Sequence, residues 1–334
     1  MTKTSPYTRE VPKDRPWRIV FMGTPGFSVP SLQALIDSKH EVVGVYTQPD
    51  KPQGRGRKIQ PPPVKKLAVE AGIPVFQPDR MTKKESLARF QEDKPDLAVV
   101  VAYGKILRQR ILDVPPMGCI NCHASILPKY RGANPIFWAV ADGEAETGVQ
   151  TMLMDAGMDT GDVLKGLSIP ILPNETVGEL HDRLAALSAQ VLLDTLDAIE
   201  AGTLTQTTQE HDAATHAPML DKSQFWVNFD QPALDVHNWI RAMAPRPGAR
   251  SLTPEQKTVK LYESVGVVEQ NGLPGQLLHA DADGLVIACK EGAVRVKSIQ
   301  FAGKKRVEVK QYLAGNSFPE GYTFGSPNDE ETSS

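Results

Sequence analysis

Arg18-Ile19-Val20-Phe21-Met22-Gly23 is an apolar run that stops at glycine, and with the segment after it this run decides the fold. A run this short, closed by a breaker, reads as a buried strand. Ser31–Ser38 comes next with Leu32, Leu35 and Ile36 at helical spacing, and Glu41–Tyr46 supplies a second strand through Val42, Val43 and Val45. Strand, helix and strand in that order make a β-α-β unit, whose two strands are parallel. The pattern repeats with a helix near Pro63–Ala71, a strand at Val75–Phe76, a helix over Lys83–Glu92, and strands at Leu97–Ala102 and Gly118–Cys122. This alternation predicts an α/β fold, a doubly wound and mostly parallel sheet of the Rossmann-like kind. Such sheets place ligands beyond the carboxyl ends of their strands. The loops there are Gly23–Phe27, Thr47–Lys58, Tyr103–Leu107 and Asn121–Asn134.

Outward from that core, Thr176-Val177-Gly178-Glu179 has the form of a capping box and opens a long amphipathic helix through Leu180, Leu184, Leu187, Val191 and Leu192, with Gly202 as its stop. The Thr- and Gln-rich stretch Thr203–Ala217 reads as a linker. Beyond it come a helix (Gln231–Ala242), the turn Pro245-Arg246-Pro247-Gly248, and short β-like runs at Val259–Glu263, Gly266–Glu269, Gly275–Ala280, Gly284–Cys289 and Ala293–Phe301. Short strands packed this closely predict a small β-barrel or sandwich, of the OB-like kind. The expected division is a disordered extension over 1–16, a catalytic domain over 17–202, a linker over 203–222, the OB-like domain over 223–318 and a tail over 319–334.

The 334 residues suit two domains, and 40% hydrophobic with 23% charged residues is a globular balance able to bury a core. No apolar run approaches the ~20 residues of a membrane span, so no membrane partner is expected. A net charge of −3 excludes a uniformly basic nucleic-acid coat, although not a local basic patch. Cys119, Cys122 and Cys289 are too few for a disulfide framework, and Met1–Pro16 has no apolar signal core. A cytoplasmic location is expected.

Three cofactor readings fall away. Gly23-Thr24-Pro25-Gly26-Phe27 is not G-x-G-x-x-G, and Pro25 removes a backbone donor that a dinucleotide phosphate would use. Cys119-Ile120-Asn121-Cys122-His123 matches the c-type haem pattern, but that chemistry belongs to exported proteins, and cysteines inside a strand read as small buried apolar residues. Zinc lacks a second cysteine pair at ligand spacing, and no metal is expected.

With the cysteines set aside, Asn121 and His123 stand two apart at a strand end, so their side chains point the same way. Met158-Asp159-Thr160-Gly161-Asp162 supplies a carboxylate loop within forty residues. Histidine carries a proton near neutral pH, an amide N–H can stabilise a developing oxyanion, and a carboxylate fixes the imidazole. Together they suit attack of a nucleophile on a carbonyl carbon.

These residues sit in a longer pattern: Asn121-Cys122-His123-Ala124-Ser125-Ile126-Leu127-Pro128, Tyr130-Arg131-Gly132, Pro135, Trp138, Thr147-Gly148-Val149 and Met158–Asp162. It closely resembles the signature of the folate-dependent formyltransferases. The resemblance implies that Asn121, His123 and Asp159 are the catalytic trio. It implies that Ser125, Ile126, Leu127 and Pro128, with Tyr103, Gly104, Leu107 and Asp162, bind the donor, 10-formyltetrahydrofolate, without a metal. Phe21-Met22-Gly23-Thr24-Pro25, the loop Thr47–Lys58, Val101–Leu107 and Ile240-Arg241-Ala242 are most similar to the members of that family that formylate methionyl initiator tRNA. That tRNA is the implied partner, and a monomer is expected. A sugar-amine substrate and a catalytically silent binding protein remain as alternatives.

Charge points the same way. Lys51–Lys66 carries six basic residues and no acid, and Lys290–Lys310 carries seven against two. Basic loops with glycine allow close approach to a phosphodiester backbone. Arg55, Arg57 and Lys58 in the first, and Lys304, Lys305 and Arg306 in the second, are the expected tRNA contacts.

Overall fold

The computed structural model describes residues 3–53, 56 and 58–327. Along the chain its elements are β1 (Thr4–Pro6), β2 (Arg18–Gly23), α1 (Val29–Ile36), β3 (Glu41–Tyr46), β4 (Lys51–Gln53), β5 (Lys58–Gln60), α2 (Pro63–Glu70), β6 (Val75–Phe76), α3 (Lys84–Glu92), β7 (Leu97–Val101), α4 (Gln109–Leu112), β8 (Cys119–His123), α5 (Pro135–Ala141), β9 (Glu146–Leu153), β10 (Val163–Pro170), α6 (Val177–Glu200) and β11 (Thr205–Thr207). They are followed by α7 (Ala233–Ala242), β12 (Ala249–Leu252), β13 (Thr258–Val268), β14 (Leu277–Asp281), β15 (Gly284–Ala288), β16 (Ala293–Phe301), β17 (Val307–Glu308) and α8 (Val309–Leu313). The chain divides into two units. The first holds the described residues as far as Pro135 with Thr147–Ile169 and His181–Ala217; the second holds Ile136–Glu146, Pro170–Leu180 and the described residues from Pro218 on.

In the first unit one sheet runs β1-β11-β10-β9-β8-β7-β2-β3-β6. Its heart is the parallel set expected from the apolar runs: β2 pairs with β3 and β7, β3 with β6, and β7 with β8, all parallel. Every residue of β7 and β8 is buried, because helices or loops cover both faces of a parallel sheet and leave no polar side. Val20, Met22, Ala98, Val100 and Cys119 project to one face and pack with Tyr46, Phe90 and Tyr103. The capping box is present: the Thr176 N–H donates to Glu179 Oε2 at 2.9 Å and the Glu179 N–H to Thr176 Oγ1 at 3.3 Å. The helix it opens ends before Gly202, whose φ of 67° suits a C′ position.

Beyond β8 the sheet turns antiparallel, at β8–β9, β10–β11 and β11–β1. Two expectations change here. The extension expected to be disordered over 1–16 is held to the sheet in its described part: Thr4, Ser5 and Pro6 pair with Thr207, Gln206 and Thr205. Arg15 grips Asp96 through Nη1 and Nη2 at 2.6 and 2.7 Å, and the Trp17 indole donates to the Pro12 carbonyl at 2.9 Å. The stretch Thr203–Ala217, expected as a linker, instead supplies β11 and then crosses the catalytic loops. Backbone pairing between strands needs no apolar pattern, which is why polar Thr-Gln-Thr could form β11 between β1 and β10.

The second unit is built on an antiparallel sheet in the order β12-β13-β16-β15-β14, with β17 beside β16. Two expected strands, Val259–Glu263 and Gly266–Glu269, are one strand, β13. Gly266, the expected start of the second, marks a shift of register at Val265/Val267 rather than a break between strands. The tail expected over 319–334 is held as far as Gly325: Tyr322 and Phe324 are buried, and the Phe324 N–H donates to the Gly275 carbonyl at 2.7 Å. Residues 328–334 lie outside the described residues. Among the described residues no helix is long and apolar enough to cross a membrane.

Candidate active site

β8 delivers Asn121 and His123 to the carboxyl end of the parallel sheet, 9% and 6% exposed. The His123 ring is fixed from one side: Nε2 lies 2.9 Å from the Tyr130 carbonyl oxygen. A carbonyl only accepts, so Nε2 carries a proton and Nδ1 is left for chemistry. Nδ1 faces Asp159 Oδ2 at 3.7 Å, within ion-pair reach but longer than a hydrogen bond. The Gly132 N–H holds that same oxygen at 2.8 Å. The Asn121 carboxamide makes no hydrogen bond to protein among the described residues, which leaves a nearly buried donor free for a ligand.

Three loops hold these atoms. Asp159 sits at φ 54° and Tyr130 at φ 59°, both in the left-handed region that non-glycine residues enter only under constraint. The Asp159 loop is laced by Asp155 Oδ1, which accepts from the Gly157 N–H at 3.0 Å and the Thr160 hydroxyl at 2.6 Å. A Cβ at Gly161 would run into the Leu153 carbonyl oxygen, so glycine lets this loop lie against β9. Across from it, the Ser125 hydroxyl donates to the Lys129 carbonyl at 2.7 Å and the Leu127 N–H to Gln150 Oε1 at 2.7 Å. The third loop is the strap after β11. Thr215 accepts the Tyr130 N–H at 2.8 Å on its hydroxyl and the Arg131 N–H at 2.9 Å on its carbonyl. Gln209 donates to the carbonyls of Asp159 and Gly161.

The expected donor-site residues have mixed settings. Ser125 and Leu127 are buried, while Ile126 and Pro128 are half-buried. Tyr103 is buried with its hydroxyl unpartnered among the described residues, and its carbonyl accepts from Thr24 at 3.0 Å and Gln48 at 3.1 Å. Gly104 is exposed at φ 72°. Leu107 is a core residue, 5% exposed, whereas its neighbour Ile106 is 80% exposed. Asp162 is half-buried, and its carbonyl accepts the Leu153 N–H at 2.9 Å.

Of the expected tRNA contacts, Arg55 and Arg57 lie outside the described residues. Lys58 is exposed on β5. Lys65 in the same run is committed to Asp50 at 2.9 Å and is not free charge. In the second unit Lys304 and Lys305 are exposed. Arg306 pairs with Glu263 and lies over the Tyr262 ring at 4.4 Å. All three cysteines are buried, and burial pushes each thiol up to about 12, which makes them poor nucleophiles and ligands.

Residues 17–196 match the formyl transferase family model, and residues 219–317 match that of the formyl transferase C-terminal domain. The chain belongs to the formyl transferase family. Among curated proteins it is 48% identical to the methionyl-tRNA formyltransferase of Acetivibrio thermocellus, over 92% of this chain and 99% of that one. It is 46% identical to the enzyme of the same name from Geobacter metallireducens, over 92% and 98%. Solved structures share the fold at low identity. The sugar 3N-formyl transferase WlaRD, solved in the presence of dTDP and 5-N-formyl-THF, is 17% identical over 86% of this chain and 99% of that chain, with a TM-score of 0.64. HypX from Aquifex aeolicus is 19% identical, with a TM-score of 0.62; the match covers 91% of this chain and about half, 49%, of HypX.

For this formyl transferase, sequence reasoning brings together Asn121, His123 and Asp159 but misses their supports: the Tyr130 carbonyl, the Gly132 N–H, Gln209 and Thr215. Two of these are backbone groups that carry no sequence signal. The other two sit in a polar stretch whose composition is that of a linker.

Proposed function

We infer that this formyl transferase moves the formyl group of 10-formyltetrahydrofolate onto the free α-amino group of methionyl initiator tRNA, and so supports translation initiation. The observation that carries the reading is the His123–Asp159 pair, with the ring proton fixed at Nε2 and Nδ1 turned to the carboxylate, beside an unpaired Asn121 amide. The tRNA substrate is supported by the relatives named methionyl-tRNA formyltransferase, which match this chain almost end to end.

The residues present fit a folate donor. The Asn121 amide and the buried Tyr103 hydroxyl both lack protein partners among the described residues, and exposed Ile106 offers apolar surface. The Ser125–Pro128 loop with Tyr103, Gly104, Leu107 and Asp162 would hold it. The bound donor supplies an activated formyl carbon. The Asn121 N–H and the Nδ1–H of protonated His123 stabilise the formyl oxygen as charge develops on it. Asp159 has one oxygen tied to the Gly132 N–H; it balances the imidazolium and, through a water, takes the proton released by the attacking amine. The formyl carbon's bond to the donor nitrogen breaks, and tetrahydrofolate leaves with a proton on that nitrogen. Arg55, Arg57 and Lys58, with Lys304, Lys305 and Arg306, contact the tRNA backbone. The reading implies a cytoplasmic enzyme acting as a monomer.

Loss of a donor at an oxyanion site costs on the order of 10²–10³ in turnover. Asn121→Ala and His123→Ala, with thermal unfolding unchanged, should each lose formylation of methionyl initiator tRNA by that order in a single-turnover assay. Turnover near wild type in either variant would remove that residue from the mechanism.

A further inference from the structure

The strap that contains Gln209 and Thr215 lies between the two stretches that match the family, residues 17–196 and 219–317. Gln209 is 6% exposed, and its carboxamide is used at both ends. Nε2 donates to the Asp159 carbonyl at 2.9 Å and to the Gly161 carbonyl at 2.7 Å. Oε1 accepts from Arg131 Nε at 3.1 Å and Nη2 at 2.7 Å. A neutral amide offers two donors and an acceptor on one planar head, which is what this position requires.

Each end of the clamp lands on a loop that sets the reacting pair. One end carries Asp159, held at φ 54°. The other is Arg131, flanked by the Tyr130 carbonyl that fixes His123 Nε2 and by the Gly132 N–H that fixes Asp159 Oδ2. We propose that Gln209 is a positioning residue for formyl transfer: its carboxamide locks the Asp159 loop to the Arg131 loop and thereby sets the His123–Asp159 separation. This rests on the roles given above to His123 and Asp159. Arg131 is itself buried at 5% exposure, and its Nη2 also lies 3.0 Å from His211 Nδ1.

The two halves of the clamp can be separated. A carboxylate at 209 still accepts from Arg131 but turns an oxygen toward two carbonyl oxygens, so Gln209→Glu keeps one half and breaks the other. Gln209→Met, of similar volume, breaks both. The test is steady-state and single-turnover formylation of methionyl initiator tRNA by each variant, alone and combined with Asp159→Asn. A misplacement of ~1 Å in a catalytic group costs on the order of 10²-fold.

The expected result is a kcat lowered about 10- to 100-fold in Gln209→Glu, with KM for donor and tRNA within about threefold of wild type. With Asp159→Asn already present, the further loss should be less than about threefold, because residues acting through one another are not additive. A kcat for Gln209→Glu near wild type, a loss confined to KM, or an equal loss in the Asp159→Asn background would overturn the proposal. So would the absence of a cooperative thermal transition in both variants, which would make Gln209 a purely structural residue. A wild-type chain that forms no formylmethionyl-tRNA would overturn the proposed function instead, and the two failures are told apart by that control.

Discussion

Gly132→Ala tests the architecture of the site at one atom. Gly132 has φ 119°, a region essentially closed to residues with a Cβ. A Cβ there would lie 2.9 Å from the Ala217 carbonyl oxygen, closer than the ~3.3 Å of an ordinary C···O approach. Ala217 cannot retreat: its carbonyl accepts the Asn134 N–H at 3.0 Å and its N–H donates to the Arg131 carbonyl at 2.7 Å. The backbone at 132 must therefore turn, and its N–H leaves Asp159 Oδ2, now 2.8 Å away. The conformational strain should lower stability by about 1–3 kcal/mol. A hydrogen bond to a charged group contributes about 1.5–3 kcal/mol, equivalent to roughly 10- to 100-fold in rate once Asp159 is free to drift. Single-turnover formylation and thermal unfolding would be measured beside Gly315→Ala, where a Cβ meets nothing within 4 Å. A Gly132→Ala enzyme with turnover within about threefold of wild type and an unmoved melting temperature would refute the claim that the Gly132 N–H holds the carboxylate in place.

Two further predictions concern parts remote from the reacting atoms. Burial would raise the Asp96 carboxyl, but Arg15 and the Arg18 N–H outweigh it and hold the group below the usual carboxylate range. A depressed folded-state pKa contributes stability above the unfolded value of ~3.9 and loses it as pH falls through the folded one. Asp96→Asn should therefore be less stable than wild type in denaturant melts at pH 7, and the gap should close below about pH 4; a gap constant with pH would contradict this. Arg55→Ala and Lys58→Ala should each raise KM for tRNA and flatten its dependence on salt by ~1 phosphate contact, leaving folate KM unchanged. An unaltered salt slope would take these side chains off the RNA.

The parallel core is legible because strands covered on both faces carry apolar runs, as Ile19–Met22 in β2, all of β7, and Cys119 and Ile120 in β8 do. Asn121 and His123 are legible for the same reason turned round: polar side chains at the end of a buried run need a purpose. The two outermost strands on the antiparallel side, β1 and β11, are not. Thr4-Ser5-Pro6 and Thr205-Gln206-Thr207 are held by main-chain bonds, and neither stretch has an apolar face to betray it. Gly266 reads as the start of a separate strand because glycine marks strand boundaries and register shifts alike, and only the partner strand β16 tells them apart. Gln209 hides for a third reason. Its burial comes from the loops folded over it, which no local pattern encodes.

The most direct measurement is formyl transfer from 10-formyltetrahydrofolate to methionyl initiator tRNA, run beside methionyl elongator tRNA and a nucleotide-linked amino sugar. The account predicts rapid transfer to the initiator, little to the elongator and none to the sugar. Transfer to the sugar alone, or to no acceptor, would contradict it.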